Sequence, residues 1–359
     1  MKTENERFKP IAKWAIILFG YMIMTSLVLD ATLTNSYFHF HQLKGPTAFQ
    51  KIVYAQAARP FVYRAFAPFM VRTLTRLTPE VVKVKIEQVV KTREILKIYG
   101  FREEYATEYF WAFVLLYFSL LGFALALRQF IATFYRAPSY LADLAPLGAL
   151  ACLPLLVSYF IYDYPNLFLF TASLLFLVRK DFKLFYPIYI LTCFSKETAI
   201  LIPFILLLNY KSVNSRQKFW LHLLLQVVIW LTVSGLLRYI FRDNPGQLVE
   251  IHLFGHNLSV LVDPSTYFRF TAKALPKGLN VIMLSFFAFL TFKFWKEKAL
   301  FLRRALFILV PMFLLTLLFG WVDELRVYFE SLPIWYILCL HAGIRIFDIP
   351  FEKTGEFTL

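Results

Sequence analysis

The sequence predicts an all-α integral membrane protein, and three features of the 359-residue chain support this. Hydrophobic residues make up 59% of the chain and charged residues only 17%, against about 45–50% and about 25% in soluble globular proteins. The mean hydropathy is +0.60. The apolar residues collect in runs long enough for membrane-spanning helices. This composition excludes a soluble enzyme of this length, and it excludes a disordered chain because disorder requires low hydrophobicity.

The charge distribution indicates membrane topology and anionic lipid as a partner. The formal net charge is +15, and many of the basic residues form short clusters at the ends of apolar runs, where they fix orientation and contact lipid headgroups. We therefore expect no nucleic-acid partner. The three cysteines share no spacing pattern, so the sequence predicts no disulfide framework, no metal site and no cofactor.

The first apolar run, 11–29, follows basic residues and lacks a convincing processing site, so it predicts an uncleaved first transmembrane helix with a cytoplasmic N-terminus. The long polar stretch 30–107 then forms the first extracytoplasmic loop. Within this loop, 61–78 is apolar but interrupted by arginines and a proline, and 79–98 alternates Val/Ile with Lys/Glu at helical spacing. Both predict amphipathic helices that lie on the membrane surface.

The remaining apolar runs predict further crossings. They lie at about 108–127, 141–161, 165–178, 218–240, 279–294, 305–321 and 332–346. The run 184–210 is interrupted by Ser195-Lys196-Glu197-Thr198, so it either crosses once with charges at mid-depth or enters and returns as a broken hairpin. The hairpin keeps every later basic cluster in the cytoplasm, which the positive-inside rule favours.

The resulting architecture is a single polytopic domain over 1–359. It has about eight transmembrane helices, one re-entrant broken hairpin, and a second large extracytoplasmic loop at 241–278. Both termini are expected in the cytoplasm. Long loops determine topology weakly, so the twelve Lys/Arg of 30–107 do not oppose this arrangement.

The charged residues left over by the topology argument collect toward the extracytoplasmic side. Charges near hydrocarbon persist when they are paired or line a water-filled cavity. Cations in such a set could bind a phosphate, with bidentate contacts from arginine, and a carboxylate could act as general base on a hydroxyl. Helix ends, headgroup contacts and helix caps are the alternative interpretations. The candidates are Asp30, Arg59, Arg64, Asp163, Lys196, Glu197, Asp323, Glu324 and Arg326, with Tyr63 as a neighbour; Glu330 belongs to the same polar stretch before Pro333.

Four short motifs resemble those of bacterial polytopic proteins near the type C glycosyltransferase (GT-C) superfamily. They are Arg-Pro-Phe-Val-Tyr-Arg (59–64), Tyr-Asp-Tyr-Pro (162–165), Ser-Lys-Glu-Thr-Ala (195–199) and Asp-Glu-Leu-Arg-Val-Tyr-Phe-Glu (323–330). The hairpin motif of those relatives commonly reads Asn-Arg-Glu-Thr. Here Ser195 and Lys196 replace its first two residues, and lysine lacks the bidentate contacts of arginine.

The resemblance implies a protein of the bacterial inner membrane with a polyprenyl-phosphate-linked sugar as donor and an envelope glycan or glycolipid as acceptor. The family's catalytic acid lies in the first loop, where Asp30 is the matching carboxylate, and Asp163 or Glu197 could substitute as base. Arg59, Arg64, Lys196 and Arg326 would hold the donor phosphate, and Tyr63, Asp323 and Glu324 would support the site. A transporter or flippase for a lipid-linked glycan or anionic substrate, another polysaccharide transferase or polymerase, and a structural scaffold remain the alternatives.

Overall fold

The computed structural model of the protein describes residues 4–35, 48–92, 102–136, 138–155, 160–210, 215–247, 249–270 and 276–353. The helices are α1 Glu4–Asn35, α2 Ala48–Val53, α3 Phe66–Leu77, α4 Glu80–Thr92, α5 Ala106–Phe134, α6 Ser139–Cys152, α7 Asp163–Val178, α8 Phe182–Ser195, α9 Leu201–Leu208, α10 Arg216–Ile240, α11 Leu258–Val262, α12 Val281–Phe292, α13 Leu300–Ala305, α14 Leu309–Phe319 and α15 Leu332–Ile346. Two short strands, β1 Tyr135–Arg136 and β2 Glu352–Lys353, pair antiparallel. The fold is therefore all-α, as the composition predicts.

Five helical segments in the described part of the chain are long and apolar enough to cross a membrane. They are Ala12–Thr32, Ala106–Phe134, Arg216–Ile240, Leu300–Phe319 and Leu325–Ile346. Their outward faces are apolar: Leu221 and Leu224 of α10 are 63% and 62% exposed, whereas Gln226 of the same helix is fully buried. Large exposed apolar surfaces mark contact with membrane or partners in a way that scattered apolar residues do not. The architecture is that of an all-α membrane protein.

Ion pairs fix the relative directions of the helices. Lys13 of α1 and Arg128 of α5 both pair with Asp143 of α6, at 2.9 and 2.6 Å. Strand β1 follows α5 directly and pairs with β2, which follows α15. The N-terminus of α1 and the C-terminus of α15 therefore lie at the same end of the bundle. We call this end, which contains Lys13 and Arg128, the basic end.

The run 184–210 forms a broken hairpin, the arrangement that the basic residues favour. Phe182 begins α8 against His222 of α10, with ring centroids 3.8 Å apart. The helix stops where Lys196 adopts an extended backbone, and a 3-10 turn at 197–200 leads into α9. Tyr210 then packs on Phe219 in the first turn of α10, at 4.8 Å. The segment thus starts and finishes beside the first turns of α10, with its break in the opposite half of the bundle.

Both amphipathic segments predicted in the first loop are helical where they are described. The first contains a 3-10 turn at 61–63 followed by α3, and the second contains α4, with 93–98 outside the described residues. Helix α3 buries Ala67 and Val71 against α5, while α4 leaves Val81 70% exposed. An exposed apolar face on a polar helix is typical of a segment that lies at a membrane surface.

Several predicted boundaries are wrong. The crossing predicted at 108–127 is a helix that continues to Phe134. Asp30 does not end the first helix, because α1 continues to Asn35 through a stretch without glycine or proline. The predicted crossing 141–161 is helical from Ser139, but α6 ends at Cys152 and a 3-10 turn follows at 153–155, after which 156–159 lie outside the described residues. Pro154 lies in this 3-10 turn and supplies no N–H for a further α-helical bond, although Pro146 in the interior of the same helix does not end it.

The second loop, predicted at 241–278, contains a π-helical turn at 253–257, α11 and a 3-10 turn at 264–268; residues 248 and 271–275 lie outside the described ranges. Asn257 fastens this loop to the bundle. Its buried amide donates to the carbonyls of Thr316, Leu317 and Gly320 at 2.7–3.1 Å. The loop therefore covers the last turn of α14 at the end opposite the basic end.

Candidate functional site

Ionisable side chains from four parts of the chain meet opposite the basic end. We call this set the charged cluster. It contains Arg64 from the first loop, Asp163 from the first turn of α7, Lys196 and Glu197 from the break of the hairpin, and Glu324, Arg326 and Glu330 from the segment before α15. Six of these seven residues were chosen from the sequence, and the fold brings them together by ion pairs.

Arg64 joins the first loop to the hairpin. Its guanidinium donates to both carboxylate oxygens of Glu197, at 2.8 and 3.4 Å, and to the Tyr162 hydroxyl at 2.6 Å. The same guanidinium lies 4.6 Å from the Tyr162 ring centroid and 5.5 Å from that of Phe61. Burial disfavours the charge on Arg64, but the Glu197 carboxylate outweighs this effect, so the pKa of Arg64 lies above its usual value. Arg64 is a fixed and permanently charged group.

Lys196 points to the opposite side of the hairpin break from Glu197 and pairs with Glu330. The Lys196 Nζ lies 2.9 Å from Glu330 Oε1, and the two side chains are 8% and 0% exposed. The same carboxylate oxygen accepts from the Asn166 amide at 2.9 Å and from the Thr198 hydroxyl. A buried ion pair is sustained only when such additional hydrogen bonds satisfy it, so Glu330 is the acceptor that ties α7 to the hairpin break.

Arg326 completes the cluster on the side of α7. Its guanidinium lies 3.6 Å from Asp163 and 2.6 Å from Glu324. It also lies 4.3 Å from the ring centroid of Phe160, which stacks on Tyr162 with the rings 5.2 Å apart. Asp163 is fixed as well, because its Oδ2 accepts the Phe160 backbone N–H at 2.8 Å. Arg326 and Arg64 therefore each lie over one ring of this stacked pair, Arg326 over Phe160 and Arg64 over Tyr162.

The charges of the cluster are arranged in two layers. Arg64, Lys196 and Arg326 are at most 11% exposed and are accompanied in the interior by the carboxylates of Asp163 and Glu330. The other two carboxylates form the rim, with Glu197 at 46% and Glu324 at 25% side-chain exposure. The deep layer thus holds three cations against two anions. Anions that reach the rim would find Arg64 paired with the exposed carboxylate of Glu197, and Arg326 paired with the rim carboxylate of Glu324 as well as with buried Asp163.

Several buried acceptor atoms of the cluster have no hydrogen-bond partner among the described residues. They are Asp163 Oδ1, Asn166 Oδ1, Glu330 Oε2 and the hydroxyl oxygen of Ser195. Native structures rarely leave buried polar atoms unsatisfied. Such atoms are suited to accept hydrogen bonds from water or from the hydroxyl groups of a ligand.

Two predicted residues bind the second loop and do not join the cluster. The Arg59 guanidinium donates to the backbone carbonyls of Arg242 and Gly246, at 3.1 and 2.6 Å. Asp323 pairs with His256 at 3.0 Å and with Arg269 at 3.7 Å. Both contacts hold the second loop near the cluster, from the first loop on one side and from the segment before Glu324 on the other.

Asp30 and Tyr63 are not among the residues that the ion pairs of the cluster join. The Asp30 side chain is exposed on α1. Thr32, two residues later and on a different face of the helix, is buried, and its hydroxyl bonds that of Tyr164, the neighbour of Asp163. Tyr63 precedes Arg64, and its buried hydroxyl has no partner among the described residues. Tyr162 and Asn166 were not singled out from the sequence, and Glu330 was grouped with the polar residues before Pro333 but given no role in the site. Tyr162 and Glu330 stand in two of the quoted motifs, whereas nothing in the sequence distinguishes Asn166.

An apolar groove of about 400 Å³ runs next to the cluster between α12, α14 and the start of α15. Met283 and Phe287 of α12, Phe313 of α14 and Trp335 of α15 line it, together with Leu325 and Phe329 of the 3-10 helix Leu325–Ser331. Phe313 is 43% exposed on the outer surface of the bundle. The volume falls in the range of about 300–1,000 Å³ that is usual for ligand pockets.

Comparison of the chain with protein-family models, with curated proteins and with solved structures gives no match.

Proposed function

We propose that this protein is a membrane glycosyltransferase that moves a sugar from a polyprenyl-phosphate-linked donor to an envelope glycan or glycolipid on the extracytoplasmic face. In this proposal the fold is GT-C-like, with eight membrane crossings and the α8–α9 segment as a re-entrant hairpin. The basic end faces the cytoplasm of a bacterial inner membrane, in agreement with the positive-inside rule. Both termini are then cytoplasmic, and the charged cluster opens to the outer side.

The observation that carries the proposal is the 3-10 helix Leu325–Ser331. Its residues Leu325 and Phe329 line the apolar groove, while Arg326 and Glu330 of the same helix belong to the charged cluster. A lipid phosphate has an apolar chain joined directly to an anionic group. One surface of this short helix would contact the apolar lipid chain in the groove, and the other would place the lipid phosphate at the cations.

The charges of the cluster fit a phosphate ester. Arg64, Lys196 and Arg326 supply the cations that would hold the phosphate and stabilise it as the leaving group. Asp163 holds Arg326 in position, and a carboxylate of the set Asp30, Asp163 and Glu197 would take the proton of the acceptor hydroxyl. The reaction then requires little beyond positioning and charge stabilisation.

The test is sugar transfer by the purified protein in liposomes that contain radiolabelled polyprenyl-phosphate sugars and extracted envelope glycolipids. Arg326→Gln should lower the transfer rate by about 100-fold or more, as loss of a transition-state contact does. The matched control is Arg128→Gln, which breaks an arginine–aspartate pair of the same kind (2.6 Å) at the basic end. Equal transfer in the two variants would overturn the assignment of the cluster as the active site.

A transporter or flippase is the second candidate, and the buried Lys196–Glu330 pair at a helix break favours it. Broken helices with charges between them are typical of substrate and ion sites in secondary transporters. The same liposomes separate the two functions. Movement of a labelled glycolipid across the bilayer without cleavage of its sugar–phosphate bond would favour transport over transfer.

A further inference from the structure

We propose that Glu197 is a masked general base, held by Arg64 in the resting protein and released when the donor phosphate takes its place on the guanidinium. This inference rests on the proposed glycosyltransferase function and adds how that site is activated. Substrate binding and base activation are then one event, so the carboxylate becomes basic only when a donor is present.

The two partners of this ion pair are held to very different degrees. Arg64 is 11% exposed and keeps its contacts to the Tyr162 hydroxyl (2.6 Å) and to the rings of Tyr162 and Phe61 if Glu197 departs. The Glu197 side chain is 46% exposed. Its backbone is fixed, because its carbonyl accepts the Trp230 indole N–H at 2.9 Å. The carboxylate can therefore swing away by side-chain rotation while the hairpin break and Arg64 stay in place.

In the resting pair Glu197 is a poor base. Both of its oxygens accept from one guanidinium, and such a charge-assisted contact stabilises the ionised form. Phosphate binds arginine with the same bidentate geometry. When phosphate replaces Glu197 on Arg64, the bidentate geometry is kept. The lone pairs of the Glu197 carboxylate are then free to accept a proton.

The other carboxylates of the cluster are less able to change partners. Asp163 is 1% exposed and accepts the Phe160 backbone N–H. Glu330 is fully buried, and one of its oxygens accepts from three donors. Glu324 shares the rim, but it pairs with Arg326 only two residues away in the same short segment. Glu324 is therefore the natural comparison for Glu197, with the same chemistry at the same rim.

The step balances without any further reactant. The acceptor hydroxyl gives its proton to the released Glu197 carboxylate, and its oxygen bonds to the anomeric carbon of the sugar. The bond between that carbon and the phosphate oxygen breaks, and its electron pair leaves with the lipid phosphate, which Arg64 holds. Glu197 then gives its proton to water and returns to Arg64 when the lipid phosphate departs.

The experiment compares Glu197→Gln with Glu324→Gln in two measurements on the full-length protein. Binding is measured with a radiolabelled polyprenyl monophosphate that carries no sugar, and turnover is measured with the sugar-bearing donor. Loss of the competing carboxylate should tighten lipid-phosphate binding of Glu197→Gln by about two- to fivefold, the range for a partly exposed ion pair. Turnover of the same variant should fall by about 100-fold or more, as expected for loss of a general base.

Tighter binding together with slower turnover identifies Glu197 as a masked base. If the Glu197–Arg64 ion pair only stabilised the structure, its loss would weaken binding and slow turnover. Glu197→Asp, which keeps a carboxylate, should recover part of the turnover lost in Glu197→Gln. Full turnover in Glu197→Gln, or tighter binding with slower turnover in Glu324→Gln alone, would overturn the inference and leave the glycosyltransferase proposal intact. Absence of transfer by the unaltered protein with every donor would instead overturn the proposed function.

Discussion

Removal of one partner from the buried Lys196–Glu330 pair should destabilise the protein far more than removal of both. In Lys196→Met the carboxylate of Glu330, which is 0% exposed, keeps only the neutral donors Asn166 and Thr198. In Glu330→Gln the Lys196 ammonium, 8% exposed, loses its counterion. Breaking one side of a buried ion pair costs about 3–5 kcal/mol, because the other charge stays buried and uncompensated.

The double variant Lys196→Met/Glu330→Gln buries neither charge, so we expect it to be more stable than either single variant. Free energies of unfolding are measured by titration with denaturing detergent, and the four proteins form a double-mutant cycle. The control cycle uses Lys83 and Glu80, an exposed ion pair at 2.6 Å on α4, which should show a coupling of only about 0.3–0.5 kcal/mol. Additivity of the Lys196 and Glu330 variants within about 0.5 kcal/mol would refute the reasoning.

Three further predictions concern the groove, the aromatic support of Arg64 and the second loop. Ala288 lines the groove, so Ala288→Trp should raise KM for a long-chain donor and leave KM for a short-chain donor unchanged; an equal rise for both would place the lipid chain elsewhere. Tyr162→Phe removes the acceptor at 2.6 Å from Arg64 but keeps the ring, so thermal unfolding should show a loss of about 1.5–3 kcal/mol, and an unchanged Tm would contradict the importance of that bond. Arg59→Ala removes two bonds to the second loop, so amide hydrogen exchange at 242–247 should accelerate; unchanged exchange would show that other contacts hold this segment.

The helical bundle was largely predictable because apolar run length and basic clusters act locally along the chain. The break at Lys196 is visible in the sequence, since charged residues inside an apolar run interrupt it, and α8 ends there. The end of α6 was not predicted, because a proline alone does not mark it: Pro146 lies inside this helix and Pro154 lies in the 3-10 turn that follows it. The continuation of α1 beyond Asp30 was missed because one aspartate within a helix-compatible stretch does not terminate a helix.

The partners of the charged residues were not predictable. The sequence groups Arg59 with Arg64 five residues later, yet Arg59 binds the backbone of the second loop and Arg64 binds Glu197. Asp323 and Glu324 are adjacent, but one turns to His256 and the other to Arg326. Neighbouring side chains leave the backbone in different directions, and their partners lie far away in the sequence.

The sequence by itself determined that this chain forms an all-α bundle with an apolar exterior, that basic clusters flank its apolar runs, and that a charged break interrupts one of these runs. These properties follow from hydrophobicity and charge summed over consecutive residues. Only the tertiary structure decided that Glu330 pairs with Lys196, that Phe160 and Tyr162 support two arginines, and that one 3-10 helix contributes residues both to an apolar groove and to the charged cluster. Ion pairs and cavities depend on distances of a few ångströms between side chains from separate helices, and helix packing sets those distances.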